Sequence, residues 1–319
     1  VTQTGVPQGG VLSATCFIVA INTILDVMPQ DVKGSLYADD LVIYRTSKNI
    51  QTSSRILQNS IKKLEEWAKN VGLRFSPSKS ETVHFWRGIK GGNNRDYTTL
   101  KLYNKEIPNK ESTKFLGVIL DRKLNWIPHI QSLKAEALRS LNILRVVSRI
   151  NYGPDRKTLL QLYWAICKSK IDYGSQIYSS ASLSTLDKLN SVHNQALRIC
   201  TGAFRSSPEK SLQVEAGSPP LDLQRDDQCL RYILRLESSP EYVENMNVLE
   251  DQYDTLYERN EQQQVPIGTR GRHLKQTLDF DPDTALNPIA EVPSWLLTTV
   301  NICREGAKVK KRNTTTSQL

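Results

Sequence analysis

The segment Leu36-Tyr37-Ala38-Asp39-Asp40-Leu41-Val42-Ile43-Tyr44 places two adjacent carboxylates between residues that favour extended backbone. The pattern predicts two short strands that meet at an acidic turn. Carboxylates held close together on a tight turn suit a hard divalent cation such as Mg²⁺. Taken alone, however, an Asp-Asp pair is more often an ordinary solvated turn. The surrounding sequence therefore has to decide between the two interpretations.

The residues after this segment predict one long amphipathic helix and several short extended runs. Ser53 or Ser54 could cap the helix, and Gly72 would end it. The apolar positions of the helix recur with a period of 3.6 residues, at Ile56, Leu57, Ile61, Leu64, Ala68 and Val71. The extended runs cover residues 82–86, 100–103 and 114–120, with a loop at 88–95. This mixture of helix and strand is typical of an α+β region.

Three further blocks accompany the acidic turn. A glycine-rich turn, Gly5-Val6-Pro7-Gln8-Gly9-Gly10-Val11-Leu12-Ser13, leads into an apolar segment at 16–25 that is predicted to be a buried helix capped by Ser13. The segment Gly72-Leu73-Arg74-Phe75-Ser76-Pro77-Ser78-Lys79 ends the long helix and presents one lysine. Phe115-Leu116-Gly117-Val118 is predicted to be another extended run. Each block alone is compatible with a plain loop, helix or strand.

Composition and charge restrict the class of protein. The 319 residues include 42 Lys and Arg against 33 Asp and Glu, a net charge of +9 that favours a polyanionic partner. No apolar run approaches the roughly 20 residues of a membrane span, so no membrane partner is expected. The five cysteines form no C-x-x-C pair and indicate neither a disulfide framework nor a structural zinc site, which favours an intracellular setting. The four histidines are scattered singly and favour packing or surface roles.

From residue 129 the pattern becomes helical, with apolar periodicity through 129–147, 159–170, 183–201 and 223–236. Residues 131–210 carry 12 basic and 5 acidic side chains, whereas residues 211–260 carry 4 basic and 11 acidic ones. Beyond residue 237 the chain is acidic and Gln-rich and then ends in a basic stretch. We therefore predict three parts, which are residues 1–128 as an α+β domain, 129–236 as a helical domain, and 237–319 as a linker and basic, poorly ordered tail.

The four blocks, in this order and spacing, closely resemble the palm of the reverse transcriptases of non-LTR (LINE-like) retrotransposons. The resemblance covers residues 1 to about 235 and implies a partial polymerase palm, an antiparallel sheet backed by helices, followed by a thumb-like helical domain. It implies an RNA-directed DNA polymerase that works on an RNA template and DNA primer with deoxynucleoside triphosphates. Such an enzyme would act in a ribonucleoprotein in the nucleus or cytoplasm.

The resemblance also implies roles for individual residues. Asp39 and Asp40 would be catalytic ligands of Mg²⁺ or Mn²⁺, and Lys79 would lie near the leaving pyrophosphate as a general acid. The loop of Gln8, Gly9 and Gly10 would pack on the template–primer pair and the incoming nucleotide. Phe115, Leu116 and Gly117 match the hairpin that grips the primer end.

One departure from the family pattern concerns activity. The family needs another metal-binding Asp on a strand before the Pro-Gln-Gly block, and this sequence begins only four residues before Gly5. We therefore expect a fragment with doubtful polymerase activity of its own. The alternative is an inactive nucleic-acid-binding remnant of a retrotransposon. A segment at 292–295, Val-Pro-Ser-Trp, resembles the linker that precedes ribonuclease H in some relatives.

Overall fold

A computed structural model describes residues 9–85, 99–149, 153–238 and 267–278 of the chain. These residues fall into two compact units, the first extending through Arg225 and the second made of the described residues from Asp226 onwards. The predicted loop at 88–95, the segment at 292–295 and the basic end of the chain lie outside the described residues.

The first unit begins with a region of helices and short strands, as predicted for an α+β region. Its elements are, in order, α1 (Ser13–Ile21), a 3-10 helix (Asn22–Val27), β1 (Lys33–Tyr37), β2 (Asp40–Tyr44), α2 (Ile50–Val71), β3 (Thr82–Val83), β4 (Lys101–Leu102), β5 (Lys105–Glu106), β6 (Asn109–Lys110), β7 (Ser112–Phe115) and β8 (Val118–Asp121). Within the described residues, the strands form four two-stranded sheets. The pairs β1–β2, β4–β5 and β7–β8 are antiparallel, whereas β3–β6 is parallel.

The long helix α2 follows the predicted period and ends at Gly72, whose φ of 78° is the left-handed C-cap conformation. Its start differs from the prediction, because the helix begins at Ile50 rather than after Ser53 or Ser54. The side-chain oxygen of Asn49 accepts hydrogen bonds from the backbone N–H groups of Gln51 and Thr52 and so caps the helix.

One face of α2 packs against the β1–β2 hairpin and the 3-10 helix. The resulting hairpin–helix cluster has five buried apolar residues, Ile21, Ile24, Leu64, Trp67 and Ala68. Leu36 and Leu41 of the hairpin pack against it from the facing strands. The Trp67 indole N–H donates to the Thr23 hydroxyl at 3.1 Å, which satisfies the polar atom of this buried side chain. The hairpin is therefore held on a packed helical surface.

The prediction of a buried helix at 16–25 is wrong for most of that segment. Helix α1 ends at Ile21, its N-cap residue is Leu12 without a side-chain cap, and Ile18 and Val19 are exposed. Among the described residues of this segment, only Ile21 and Ile24 are buried. The apolar residues occur all round the short helix, so the pattern alone could not show which side is covered.

The rest of the first unit is helical, as predicted. The elements are α3 (Ile127–Val147), α4 (Arg156–Tyr163), a π-helical segment (Trp164–Lys168), α5 (Ser169–Asp172), α6 (Ser175–Tyr178), α7 (Leu183–Thr201), α8 (Glu209–Ala216) and the first part of α9 (Leu221–Glu237). Helices α3 and α7 form the centre of one large apolar core, in which Leu141, Leu144, Leu189 and Leu197 are fully buried. The predicted interruption at 217–220 separates α8 from α9.

The second unit contains a helix where the sequence predicted only linker. Helix α10 (Ile267–Thr277) includes Gly268 and Gly271, which lower helix propensity and weakened the pattern. A Cβ on Gly271 would lie 2.5 Å from Cγ1 of Ile233, so this glycine lets α10 approach α9 closely. Arg270 pairs with Asp226 and Lys275 pairs with Glu237 between the same two helices.

Among the described residues, no helix is both long and apolar enough to cross a bilayer.

Two buried histidines in the helical core make its stability depend on pH. The Nδ1 atom of His193 is hydrogen-bonded to the Tyr163 hydroxyl at 2.6 Å, and burial, with a smaller contribution from Lys168, lowers the pKa of His193 to about 4. Burial also lowers the pKa of His129. In the unfolded chain these rings titrate near their ordinary pKa of about 6.5.

We expect acid to destabilise the first unit between about pH 6.5 and about pH 4, because the unfolded chain then binds a proton that folded His193 excludes. His193 alone would contribute up to about 3 kcal/mol over this window. The measurement is the urea midpoint of the full chain as a function of pH. His193→Asn, whose amide can replace Nδ1 without titrating, should flatten the dependence. The matched control His273→Asn, at an exposed histidine, should leave the pH dependence of the urea midpoint unchanged. A pH dependence in His193→Asn as steep as in the wild type would contradict the assignment of this effect to His193.

Candidate functional site

The acidic turn forms as predicted, between the antiparallel strands β1 and β2. Tyr37 pairs with Asp40 across the hairpin, so the turn itself consists of Ala38 and Asp39, while Asp40 is the first residue of β2. Leu36 and Leu41 pack towards α2, which leaves Tyr37 and Asp40 on the opposite face because side chains alternate along a strand. Asp39 and Asp40 are both exposed. Two neighbouring carboxylates are therefore presented to solvent from a fixed backbone.

The backbone of this turn is strained at Ala38. Its φ of 51° lies in the left-handed region that favours glycine, at the first turn position, as in type II′ hairpin turns. A residue with a Cβ is disfavoured there by roughly 1–2 kcal/mol. Strained backbone of this kind concentrates at functional sites, where it holds side chains in a defined position.

We expect Ala38→Gly to stabilise the first unit by about 0.5–1 kcal/mol, because removing the Cβ relieves this strain by more than the added flexibility of the unfolded chain costs. Urea denaturation of the full chain measures the change. The same substitution at Ala135, an exposed position within α3, should instead destabilise the protein by about 1 kcal/mol. Destabilisation by Ala38→Gly would show that the turn is not strained.

The carboxylate pair fits a divalent cation in its donor chemistry. Mg²⁺ and Mn²⁺ prefer oxygen ligands, and a bound Mg²⁺ is commonly held by one or two protein carboxylates together with phosphates and waters. Asp39 and Asp40 could supply the two protein carboxylates for one such ion. Within the part of the chain that the structure describes, no group of three or more His, Cys, Asp and Glu residues could hold a metal. The site as described is thus a carboxylate pair rather than a closed metal cage.

Two of the other predicted blocks meet the hairpin on the hairpin–helix cluster. Phe17 of α1, which follows the glycine-rich turn, packs on this cluster. Leu73 and Phe75, which follow α2, pack on it as well. Three blocks that lie far apart in the sequence therefore share one apolar support.

Gly9 and Gly10 form the turn that enters α1. Gly9 has a φ of 88°, and the Gly10 carbonyl accepts a hydrogen bond from the Ser13 N–H at 3.1 Å. Gln8 lies outside the described residues.

Lys79 lies exposed on a tight turn directly after the segment that packs on the cluster. The Ser76 carbonyl accepts hydrogen bonds from the N–H groups of Lys79, at 3.2 Å, and Ser80, at 3.1 Å. The Glu81 carboxylate then accepts hydrogen bonds from Lys110 and Thr113, which join the chain to the next strands. The same hydrogen bonds hold the pKa of the Glu81 carboxyl below its ordinary value. The backbone that carries Lys79 is therefore anchored on both sides.

The fourth block is not the continuous extended run that its residue types predicted, and it forms a hairpin, as the resemblance implied. Phe115 and Val118 pair across a two-residue turn, and Leu116 and Gly117 occupy the turn with φ values of 45° and 82°. Positive φ at both positions is the feature of a type I′ hairpin. Leucine is unfavourable at such a φ, so the residue types concealed the turn. Val118 packs into the helical core rather than the hairpin–helix cluster.

The Leu116–Gly117 turn is held by Tyr173, a residue that sequence reasoning did not identify. The Tyr173 hydroxyl donates to the Leu116 carbonyl at 2.7 Å. A Cβ on Gly117 would lie 3.1 Å from Cε1 of the Tyr173 ring, so glycine lets the turn approach that ring. The hairpin and the segment after α5 are thereby joined.

Comparison with known proteins shows which proteins this chain is similar to. Residues 1–120 match the family described as reverse transcriptase (RNA-dependent DNA polymerase). The chain is 26% identical over 246 residues to the RNA-directed DNA polymerase from the mobile element jockey of Drosophila melanogaster, an alignment that covers 74% of this chain and 26% of that protein. It is 24% identical over 236 residues to a retrovirus-related Pol polyprotein from the type-1 retrotransposable element R1 of Nasonia vitripennis, covering 71% of this chain and 69% of the relative.

A third relative is the probable RNA-directed DNA polymerase from the transposon X-element of Drosophila melanogaster, with 27% identity over 211 residues, or 62% of this chain and 22% of that protein. The chain thus spans about a quarter of the length of the jockey relative. No solved structure matches the chain.

Proposed function

We propose that this chain forms palm and thumb parts of an RNA-directed DNA polymerase. The premise is that the chain belongs to the reverse transcriptases of non-LTR retrotransposons. In this proposal the palm is residues 1–128 and the thumb is residues 129–236. The substrates are an RNA template, a DNA primer and deoxynucleoside triphosphates, used inside the cell in a ribonucleoprotein of the nucleus or cytoplasm.

The observation that carries the proposal is the position of the acidic hairpin. Asp39 and Asp40 stand on a turn whose strands rest on the same apolar cluster as the segments following Gly10 and preceding Lys79. A shared support orders the segments that carry these groups, and a catalytic arrangement needs such ordered segments.

Each group then has a role in nucleotidyl transfer. Asp39 and Asp40 would hold Mg²⁺ or Mn²⁺, an ion that would activate the primer 3′ hydroxyl and neutralise charge on the triphosphate. Lys79 carries a proton that it can give to the leaving pyrophosphate. The Gln8–Gly10 loop packs on the template–primer pair and the incoming nucleotide. The Phe115–Gly117 hairpin contacts the primer end.

We expect the polypeptide of residues 1–319 to bind a template–primer hybrid but to show no Mg²⁺-dependent primer extension. The two-ion reaction needs carboxylates that bridge both ions, and the described residues contain no group of three or more possible metal ligands that would add to Asp39 and Asp40. Gel-based extension of a labelled primer, with binding measured on the same preparation, tests both parts. Failure to bind the hybrid would contradict the proposed function, whereas robust extension would show that the described pair is not the whole metal site.

A further inference from the structure

A cavity of about 310 Å³ lies between the β7–β8 hairpin and the helices that follow it. One wall comes from the hairpin and the other from α3, α5 and Tyr173. The lining residues used below are Lys114, His129, Ser132, Glu136, Ser169 and Lys170.

Two hydrogen bonds join the two walls of the cavity. Tyr173 donates its hydrogen bond to the Leu116 carbonyl, and the Ile119 N–H donates to Nδ1 of His129 at 3.3 Å. Gly117 and Tyr173 also line the space. The cavity is therefore built by specific polar contacts between the hairpin and the helices.

His129 is a buried, neutral residue behind this wall. The ring is 2% exposed and packs edge-on against Tyr178, with ring centroids 5.3 Å apart. Nδ1 accepts a hydrogen bond, so the neutral ring carries its hydrogen on Nε2. That buried Nε2 atom has no hydrogen-bond partner within the described residues. Burial lowers the pKa of the ring, which keeps it in this neutral form near pH 7.

Two lysines add positive charge. The Lys170 ammonium donates to the Ser140 hydroxyl at 2.9 Å, which leaves two of its hydrogens for other acceptors. Lys114 is exposed, and its positive charge contributes to lowering the pKa of His129. The hydroxyls of Ser132 and Ser169 also line the cavity, but they already donate to the Glu136 carboxylate and to the Ala165 carbonyl. Glu136 carries the one carboxylate among the lining residues. With two lysines and one glutamate, the lining has a net positive charge.

We propose that this cavity binds a phosphate group, held by the ammonium groups of Lys114 and Lys170. The phosphate could belong to a nucleic-acid backbone or to a free phosphate compound, and both present the same acceptor oxygens. Binding of a nucleic-acid phosphate at this cavity rests on the proposed function, whereas binding of a free phosphate compound does not.

The first arm of the test titrates the full 319-residue chain with inorganic phosphate at constant ionic strength and follows binding by calorimetry. Lys114→Gln and Lys170→Gln should each weaken phosphate binding about tenfold or more, because each removes a charge-assisted hydrogen bond. Glu136→Gln should strengthen it about threefold or more, because it removes a repulsive charge. Lys123→Gln, at an exposed lysine that does not line the cavity, is the matched control and should change nothing.

The second arm measures binding of the same variants to an RNA–DNA hybrid. Weaker hybrid binding by Lys114→Gln and Lys170→Gln, but not by Lys123→Gln, assigns the phosphate to a nucleic-acid backbone. Unchanged hybrid binding with weaker phosphate binding assigns it to a free compound. If both lysine variants match the wild type in both arms, or if Glu136→Gln weakens phosphate binding, the proposal is overturned. Intact hybrid binding by the wild-type chain would leave the proposed function standing in that case.

Discussion

Affinity for an RNA–DNA hybrid is expected to fall by about a thousandfold or more when salt rises from about 50 to about 200 mM, if the helical region contacts six or more phosphates. Residues 131–210 carry 12 basic and 5 acidic side chains, so the expected interaction is electrostatic. Each phosphate contact releases condensed cations from the duplex, and added salt opposes that release. The same argument predicts little dependence on base sequence.

The structure separates basic side chains that are paired from those available to a duplex. Arg156 pairs with Glu215, and Lys168 pairs with Asp172. Arg139 and Lys157 are exposed. We expect Arg139→Gln combined with Lys157→Gln to reduce the slope of log affinity against log salt by about two.

The control for this prediction is the pair Lys62→Gln and Lys63→Gln, which removes the same charge from the exposed face of α2. It should leave the slope nearly unchanged. Fluorescence anisotropy of a labelled hybrid, titrated with the full chain at several salt concentrations, gives both slopes. A flat salt response of the wild-type chain would contradict a phosphate-binding surface.

Affinity for Mn²⁺, in the presence of hybrid and a deoxynucleoside triphosphate, is expected to fall at least about tenfold in Asp39→Asn. Loss of a residue that merely orients a metal ligand typically costs about 10–100-fold, and loss of a ligand should cost no less. Hybrid binding should be almost unaffected, because the substitution removes a metal ligand and not a phosphate contact. Electron paramagnetic resonance of free Mn²⁺ measures the affinity.

Asp26→Asn provides a matched control, since Asp26 is also an exposed carboxylate of the first unit but lies in the 3-10 helix before β1. It should bind Mn²⁺ as the wild type does. Equal loss of affinity in both variants would indicate a general effect of charge rather than a metal site at the hairpin.

Features with a strong local pattern could be predicted from the sequence. The apolar period of α2 predicted a helix here, and Gly72 predicted where it ends. The acidic pair between strand-forming residues predicted the β1–β2 hairpin. The start of α2 was less determined, because Asn49, Ser53 and Ser54 are all suitable caps. The structure selects Asn49 through its bonds to two backbone N–H groups.

Features that depend on tertiary contacts could not be predicted in this way. Leu116 adopts a φ that leucine disfavours, and the bond from Tyr173, 57 residues away, helps to hold it there. Helix α10 contains glycines that weaken its local propensity, yet Gly271 fits against Ile233. The exposure of α1 likewise depends on which elements pack beside it. In each case a distant residue decides the local structure.

The four blocks of the site show the same division. Their order and spacing predicted the resemblance to reverse transcriptases, which the match of residues 1–120 supports, and the acidic hairpin formed where predicted. The support that three of them share required the structure, because Phe17, Leu36 and Phe75 come together only on the hairpin–helix cluster. The roles of Asp39, Asp40, Lys79 and the Phe115–Gly117 turn remain predictions that experiments on the protein must test.

The most direct test of the central claim, that the Asp39–Asp40 hairpin holds the metal of a polymerase site, is iron-mediated cleavage of a bound hybrid. Fe²⁺ replaces Mg²⁺ on oxygen ligands and, with ascorbate and peroxide, generates hydroxyl radicals that cut the strand nearest the ion. We expect the wild-type chain and Asp26→Asn to cut the primer within a few nucleotides of its 3′ end, and Asp39→Asn to lose this cut while still binding the hybrid. The same cut in Asp39→Asn, or cleavage only far from the primer end, would contradict the account.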